Sequence, residues 1–307
     1  MKPDFDILQF ANNHCFDFGV KGVKDALAEF DKLNIPILGV GLTKNVARKP
    51  VILERDGLKI GFYGIGGGEE CIEQDGEKAY SNTLKNDEFL EEVTALRKKV
   101  DVLIVSVHWD NECIDYPNPQ IQQLARQLID NGVDLILGHH PHIPHGIEEY
   151  NGGIIVYSLG NFQFKCTIRS ELDYSFIFKA EIDKGGVVDY SIIPVMVGKD
   201  SRPEVVSGEK AQEVLDFIAR VSEPLEAGIT SELFEEAACE VFFKDNLNAW
   251  ARRVETHGKK ELQEFFEWFN DPAMVHRFWL LMQKKNWNLY KLVKQLDIEL
   301  EMTLDQV

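Results

Sequence analysis

Residues 100–109 read VDVLIVSVHW, an apolar run of strand length whose last two residues are His108 and Trp109. A second run, VDLILGHHPH at residues 133–142, has the same form and ends in three histidines. Between them lies a segment with apolar residues at helical spacing, which begins at Asn118-Pro119 and ends at Asn131-Gly132. Uninterrupted apolar strands are typical of sheets that are buried on both faces. A strand, a helix and a second strand therefore predict a parallel α/β sheet.

The same alternation of strands and helices extends over the first two-thirds of the 307-residue chain. DILQF at residues 6–10 and IPILGVG at residues 35–41 predict two further strands, and Asp56-Gly57 predicts a hairpin turn. Residues 174–197 alternate polar and apolar side chains and turn on glycines, which predicts an antiparallel hairpin. We expect one α/β domain over residues 1–200, with helices flanking its sheet.

The pattern changes near residue 200, after which the sequence favours helices only. Ser231 is a suitable N-cap for a long amphipathic helix, and two helical segments rich in aromatic residues follow it. We predict an all-helical appendage over residues 201–307 that packs on the first domain through these aromatic side chains. A groove for a partner is the alternative use of the same apolar stripe.

Composition excludes several classes of function. The net charge of -18 disfavours binding to nucleic acid or to an anionic membrane face. No run approaches the roughly 18 apolar residues of a membrane span, and the first residues lack the pattern of a secretion signal. The five cysteines are widely spaced and form no CxxC pair, which suits a reducing compartment. The sequence as coded therefore predicts a cytoplasmic protein, or a cell-envelope protein if a further segment precedes it.

Three strands of the predicted sheet end in potential metal ligands. The carboxyl ends of strands in an open α/β sheet form the crevice in which ligands bind, so these side chains should converge. Neutral imidazole suits zinc, iron and similar transition metals, and an asparagine carbonyl adds a harder oxygen. The candidates are Asn13, His14, His108, His139, His140 and His142. Two of them, His140 and His142, would project to the same side in extended backbone, and the whole set predicts a metal site.

Four ordered motifs add a family resemblance. FDILQFANNHCFDFGVKGVKDAL, VSVHWDNE, ILGHHPHIPHGIEEY and IVYSLGNFQF resemble, in this order, the bacterial capsule-synthesis family of the CapA or PgsA type, which is linked to poly-γ-glutamate capsules. That family resembles calcineurin-like metallophosphoesterases, so the resemblance implies a layered α/β core of sheets and helices with a two-metal centre. It covers residues 4–197, and the family's first strand unit, which ends in a metal-binding Gly-Asp, has no counterpart here.

The resemblance also implies roles for individual residues. Asn13 matches the asparagine ligand of the phosphoesterase motif, with His14 in the place of its catalytic histidine. His108 matches the single histidine ligand after the middle strand. The pair of histidines in the next motif aligns with His140 and His142, and His139 is the alternative first member of that pair.

Two further residues match positions that support the ligands. Glu112 falls where the family has a glutamate after its histidine-tryptophan step, and Asn161 stands at a further strand end. Both are expected to contact the ligands rather than the metal. The implied cofactor is a divalent transition metal, Zn, Mn or Fe, bound as one ion or as two.

The function that follows is biosynthesis of a capsule polymer, poly-γ-glutamate or polysaccharide, with a metal-dependent hydrolase site of the phosphoesterase type. The alternative is a non-catalytic component of capsule or envelope polymer assembly with a degenerate metal site, because the carboxylates of the first strand have no counterpart. The expected partners are an envelope polymer or phosphoester substrate, a separate N-terminal fragment, or other capsule-assembly proteins.

Overall fold

The computed structural model describes residues 5–164 and 170–241 of the chain. In chain order the strands are β1 (Leu8–Gln9), β2 (Ile37–Leu38), β3 (Val40–Gly41), β4 (Val51–Arg55), β5 (Leu58–Gly66), β6 (Cys71–Gln74), β7 (Glu77–Ser81), β8 (Val102–His108), β9 (Leu135–His139), β10 (Ile147–Tyr150), β11 (Gly153–Val156), β12 (Tyr174–Asp183), β13 (Gly186–Val197) and β14 (Pro203–Val205). The helices are α1 (Gly19–Lys32), α2 (Lys44–Ala47), α3 (Phe89–Arg97), α4 (Pro119–Asp130) and α5 (Glu209–Ser222), and a 3-10 turn spans Ser170–Asp173.

The chain divides into two compact units, Met1–Ile229 and Thr230–Val307. The sequence instead placed the change at residue 200, where its strand patterns end. Helix α5 lies within the first unit because its apolar face joins the core of that unit. In the second unit, residues 231–241 are helical as predicted, but the N-cap is Thr230 and not Ser231, because Oγ1 of Thr230 accepts a 3.1 Å hydrogen bond from the backbone N–H of Leu233. The remaining predicted helices lie outside the described residues. None of the described helices is both long enough and apolar enough to span a membrane.

A six-stranded sheet with the order β10-β11-β9-β8-β5-β4 forms the centre of the first unit. Its four inner strands are parallel, and the two edge strands are antiparallel to their neighbours. The register sets Gly66 of β5 opposite His108 of β8, and His108 opposite His139 of β9. The predicted crossover from β8 through α4 to β9 is confirmed, and it brings the histidine-bearing strand ends side by side.

The two faces of the central sheet are covered differently. Helices α3 and α4 contact one face. An antiparallel sheet of β12, β13 and β14 covers the other face together with α5. The core on this second face consists of Val102, Ile104, Leu135, Ile154, Val156, Phe176, Val214 and Ile218. The predicted layered α/β core is confirmed, and on this second face the apolar side of the hairpin packs on the sheet together with a helix.

Local turn and cap signals were interpreted correctly. Asp56 and Gly57 both have positive φ, 53° and 79°, and form the hairpin turn between β4 and β5. Helix α4 begins at Pro119, and the side-chain oxygen of Asn118 accepts a hydrogen bond of 2.9 Å from the backbone N–H of Gln120. Residues 174–197 form the antiparallel pair β12 and β13 as predicted.

The segment IPILGVG is not the single strand that its apolar pattern predicted. Gly39 has φ of 83° and separates β2, which pairs with β1, from β3, which pairs with β7. A Cβ atom at Gly39 would lie 2.5 Å from Cβ of Ala11, so the close approach of β1 also requires glycine. The hairpin of β6 and β7 and the short strand β14 were not predicted from the sequence.

Gly138, the last residue before the histidines of β9, packs against backbone. A Cβ atom there would lie 2.0 Å from the carbonyl oxygen of Tyr157 and 2.8 Å from Nε1 of Trp109. We expect Gly138→Ala to lower the free energy of unfolding by about 3 kcal/mol or more, because neither backbone nor a buried ring can move away cheaply.

Gly57→Ala is the matched control for this substitution, measured by equilibrium unfolding in urea. Nothing lies within 4 Å of a Cβ atom at Gly57, and only its positive φ opposes the substitution. Its cost should be about 1–2 kcal/mol. Equal losses in the two variants would contradict the close packing described for Gly138.

Candidate metal centre

The turn that follows β1 carries the first two candidates, Asn13 and His14. Oδ1 of Asn12 accepts a hydrogen bond of 2.8 Å from the backbone N–H of His14, and this Asx turn reverses the chain. Oδ1 of Asn13 then accepts a hydrogen bond of 2.8 Å from Nε2 of His108, on β8. The structure therefore brings together two predicted ligands that are 95 residues apart in sequence.

Glycines at the end of β5 make room for this turn. A Cβ atom at Gly66 would lie 2.3 Å from the carbonyl oxygen of Ala11, and one at Gly68 would lie 3.0 Å from Cα of Asn13. The backbone N–H of Gly67 donates a 2.7 Å hydrogen bond to the carbonyl oxygen of His108. The glycine-rich segment after β5 thus packs directly beneath the site.

His14 is paired with Asp17, a residue that the sequence analysis did not select. Nδ1 of His14 lies 2.9 Å from Oδ2 of Asp17, and Nε2 lies 3.4 Å from Nδ2 of Asn13. The side chain of His14 is 66% exposed, so it is accessible to a substrate. The available signal in the sequence was an aspartate three residues after the histidine, within the same turn.

Glu112, His140 and His142 form a cluster of three potential ligands. Their ligand atoms all lie within 4.8 Å of one another. Oε1 of Glu112 is 4.0 Å from Nε2 of His140 and 3.9 Å from Nε2 of His142. From the sequence, Glu112 was expected to contact the ligands, whereas the structure positions it as a potential ligand itself.

The two histidines of this cluster converge through left-handed backbone. His140 has φ of 101° and His142 has φ of 63°, on either side of Pro141. The expectation that both project to one side from extended backbone is therefore wrong. Positive φ at residues other than glycine is uncommon, costs free energy and is concentrated at functional sites.

Asn161 is hydrogen bonded to His142 at Nδ1, the ring nitrogen that does not face Glu112. Oδ1 of Asn161 accepts a 2.8 Å hydrogen bond from Nδ1 of His142, so the lone pair of His142 is on Nε2, the atom that faces Glu112. The ring of Phe164 packs edge-on against the same imidazole at 5.2 Å. The expected contact of Asn161 with a candidate ligand is present, and its role in supporting a metal ligand stays a prediction.

His139 has a different environment from His140. Its Nε2 lies 3.1 Å from Oγ of Ser106, on the neighbouring strand, and not with the Glu112 cluster. Burial lowers the pKa of His139 to about 4. The sequence left open which of the two histidines is the ligand, and this geometry favours His140.

Burial also favours the neutral form of His108 and of His140. It lowers the pKa of His108 to about 3, with smaller contributions from the neighbouring His140 and His139. The pKa of His140 is lowered by burial as well, and its Nδ1 is a buried atom without a hydrogen-bond partner in the described part of the chain. Neutral imidazole has the free lone pair that a metal requires.

The donor set fits a divalent transition metal. Two imidazoles and a carboxylate are ligands that zinc, manganese and iron accept. Zinc ligands at about 2.1 Å from the ion in tetrahedral geometry lie about 3.4 Å apart. The distances of 3.9 Å and 4.0 Å from Glu112 to the two histidines therefore need to shorten only slightly. The ligand assignments of Asn13, His108, His140 and His142 stay predictions.

Two solved structures were matched at low similarity. One is a hypothetical protein from Thermus thermophilus, with a TM-score of 0.41, 15% identity and alignment over 62% of this chain and 75% of that chain. The other is a 5'-nucleotidase from Candida albicans, with a TM-score of 0.38, 15% identity and alignment over 73% of this chain and 44% of that chain.

Curated relatives are more similar in sequence. The PGA biosynthesis protein CapA of Bacillus subtilis (strain 168) is 36% identical over 198 residues, which cover 62% of this chain and 51% of that protein. The capsule biosynthesis protein CapA of Bacillus anthracis is 30% identical over 212 residues, which cover 66% of this chain and 50% of that protein. The chain thus spans about half the length of these relatives.

A family model gives the broader assignment. The model of the bacterial capsule synthesis protein PGA_cap matches residues 2–165, more than half of the chain, and this range includes the Asn13 turn, β8, the Glu112 cluster and Asn161. The resemblance predicted from the four ordered motifs is confirmed. The chain belongs to the bacterial capsule synthesis protein family PGA_cap.

Proposed function

We propose that this chain is a metal-dependent hydrolase of the phosphoesterase type that acts in the biosynthesis of a capsule polymer such as poly-γ-glutamate. The observation that carries the proposal is the cluster of Glu112, His140 and His142 at the carboxyl edge of the sheet. The same edge carries Asn13, hydrogen bonded to His108, and His14, paired with Asp17. Candidate ligands and a candidate proton donor therefore lie at the same edge of the sheet.

Several residues of this site have donor atoms that could bind a metal ion. Glu112, His140 and His142 would hold an ion, and Asn13 and His108 offer further donor atoms beside them. A bound divalent metal would polarise phosphoryl oxygens and lower the pKa of a water molecule. Asn161 fixes the ring of His142, so that Nε2 presents its lone pair.

His14 is the candidate general acid. Its Nδ1–H donates to Asp17, which fixes the orientation of the ring. Nε2 of His14 would then donate a proton to the oxygen of the leaving group. The exposure of this side chain suits a group that must reach a substrate.

The non-catalytic alternative also has an observation in its favour. Within the described residues, the Glu112 cluster is the one group of three potential metal-binding side chains, and it contains a single carboxylate. A centre with two metals usually needs a bridging anionic ligand to hold the cations together against their repulsion. A single ion held by this cluster could serve assembly of the polymer rather than its hydrolysis.

Metal-dependent turnover separates the two candidates. We expect the chain loaded with Zn, Mn or Fe to hydrolyse bis-nitrophenyl phosphate, and a chelator to stop the reaction. Glu112→Gln should lower the rate by about tenfold or more, because outer partners of metal ligands alone usually account for 10–100-fold.

Glu91→Gln, at an exposed position of α3, is the matched control and should keep the rate of the wild type. If the metal binds with full occupancy and no hydrolysis of phosphoesters follows, the non-catalytic function is the correct one.

A further inference from the structure

Glu112 lies on a loop whose conformation is stabilised by contacts with other parts of the chain. We call residues 110–118, between β8 and α4, the Glu112 loop. Asp110 and Cys113 within this loop have positive φ, 73° and 64°. This backbone conformation is uncommon for residues other than glycine. The carboxylate of Asp110 accepts hydrogen bonds from the backbone N–H groups of Asn111, at 2.8 Å, and Asn118, at 3.0 Å, and these bonds close the base of the loop.

Two contacts join the tip of the Glu112 loop to the segment that follows β9. The backbone N–H of Cys113 donates a 2.8 Å hydrogen bond to the carbonyl oxygen of Pro141. Nε2 of His145 donates to the carbonyl oxygen of Ile114 at 2.6 Å. Burial lowers the pKa of His145 to about 4, so this ring is a neutral donor near pH 7. The loop is thereby tied to the backbone that carries His140 and His142.

A third contact comes from α5, which lies beyond the range that the family model matches. Nη2 of Arg220 lies 2.9 Å from Oδ2 of Asp115, whose side chain is only 16% exposed. The guanidinium of Arg220 also lies 4.7 Å from the centre of the Phe217 ring, which restricts its position. Phe217 and Val221 of α5 are buried in a cluster with Ile143, against which Cys113 and Tyr116 of the loop pack.

We propose that α5 positions Glu112 for metal binding, through the ion pair of Arg220 with Asp115 and the apolar cluster beneath it. Arg220 and Asp115 are positioning residues, because neither belongs to the cluster of potential ligands. This inference rests on the proposed metal site. Its physical basis is that a half-exposed carboxylate on a loop binds an ion tightly only when the loop is held in place, so that the entropy of ordering is not lost on binding.

The test uses Co²⁺, whose visible absorption reports the ligands around it, titrated into the full-length, metal-free chain. We expect Arg220→Ala to raise the dissociation constant for Co²⁺ about tenfold, the lower end of what outer partners of metal ligands contribute. Its spectrum should shift towards that of Glu112→Gln. Lys210→Ala, which removes a positive charge from an exposed position of the same helix, should behave as the wild type.

A double-mutant cycle shows whether Arg220 acts through Glu112. In the Glu112→Gln background, Arg220→Ala should cause no further loss of affinity. The same loss in both backgrounds would overturn the proposal, because it would reflect a general structural effect. Asp115→Asn removes the same ion pair from the other side, and it replaces Arg220→Ala in the cycle if that variant fails to fold.

The outcomes also separate this inference from the metal site itself. Loss of Co²⁺ affinity in Glu112→Gln but not in Arg220→Ala or Asp115→Asn would overturn the role of α5 and leave the cluster intact. A wild-type chain that binds no Co²⁺ would overturn the metal site, and the role of α5 with it.

Discussion

His140→Asn is expected to abolish retention of metal, with an affinity at least about 100-fold below that of the wild type. The substitution removes the imidazole nitrogen that faces Glu112, and two of the three clustered ligands would remain. Loss of an outer partner alone usually costs 10–100-fold in metal affinity, so loss of a direct ligand should cost more. Asparagine accepts positive φ, so the backbone at this position is preserved. Elemental analysis after reconstitution with Zn, Mn or Fe measures the effect.

His139→Asn is the matched control at the neighbouring position. Its ring contacts Ser106 instead of the Glu112 cluster, so this variant should keep its metal even if its stability falls. The reverse result, with metal lost in His139→Asn and kept in His140→Asn, would show that His139 is the ligand. The alternative alignment of the two histidines would then be correct.

His14→Ala is expected to lower the hydrolysis of a phenyl phosphodiester about 10²–10⁴-fold while metal occupancy stays at the level of the wild type. This is the usual contribution of a positioned general acid, and His14 lies outside the Glu112 cluster. The loss should be smaller with a nitrophenyl ester, whose leaving group needs less protonation. Steady-state rates at saturating metal, measured on both esters, test the role directly.

Asp17→Asn should have a weaker effect of about tenfold, because it disturbs the orientation of the His14 ring without removing it. Asp25→Asn, in an exposed ion pair with Lys21 on α1, is its control and should leave the rate unchanged. Equal losses in His14→Ala with the two esters would contradict proton donation to the leaving group. Loss of metal from His14→Ala would instead show that this residue helps to bind the ion.

The parts of the fold that could be predicted are those with local causes. Proline and asparagine at the start of α4, and Asp56-Gly57 in the hairpin turn, act within a few residues, and the structure agrees with both predictions. The break at Gly39 could not be predicted in this way. It depends on β1 and β7, which pair with the two halves of that segment and come from distant parts of the chain.

The candidate site shows the same division. Its location was predictable because each histidine motif stands at the end of an apolar strand, and parallel strands align their ends. The grouping of Glu112 with His140 and His142 could not be predicted, because it depends on left-handed backbone at both histidines and on the conformation of the Glu112 loop. The contact of that loop with Arg220 joins residues 105 positions apart, which no local pattern shows.

That separation of 105 residues has a consequence for the order of events during synthesis. A ribosome that adds about 5–20 residues per second reaches Arg220 about 5–20 s after Asp115. The histidines of the nascent chain therefore leave the ribosome several seconds before α5, the helix that contacts the Glu112 loop. If α5 positions Glu112 as proposed, tight capture of an ion would be a late step of biogenesis, completed only when the first unit has been made almost to its end.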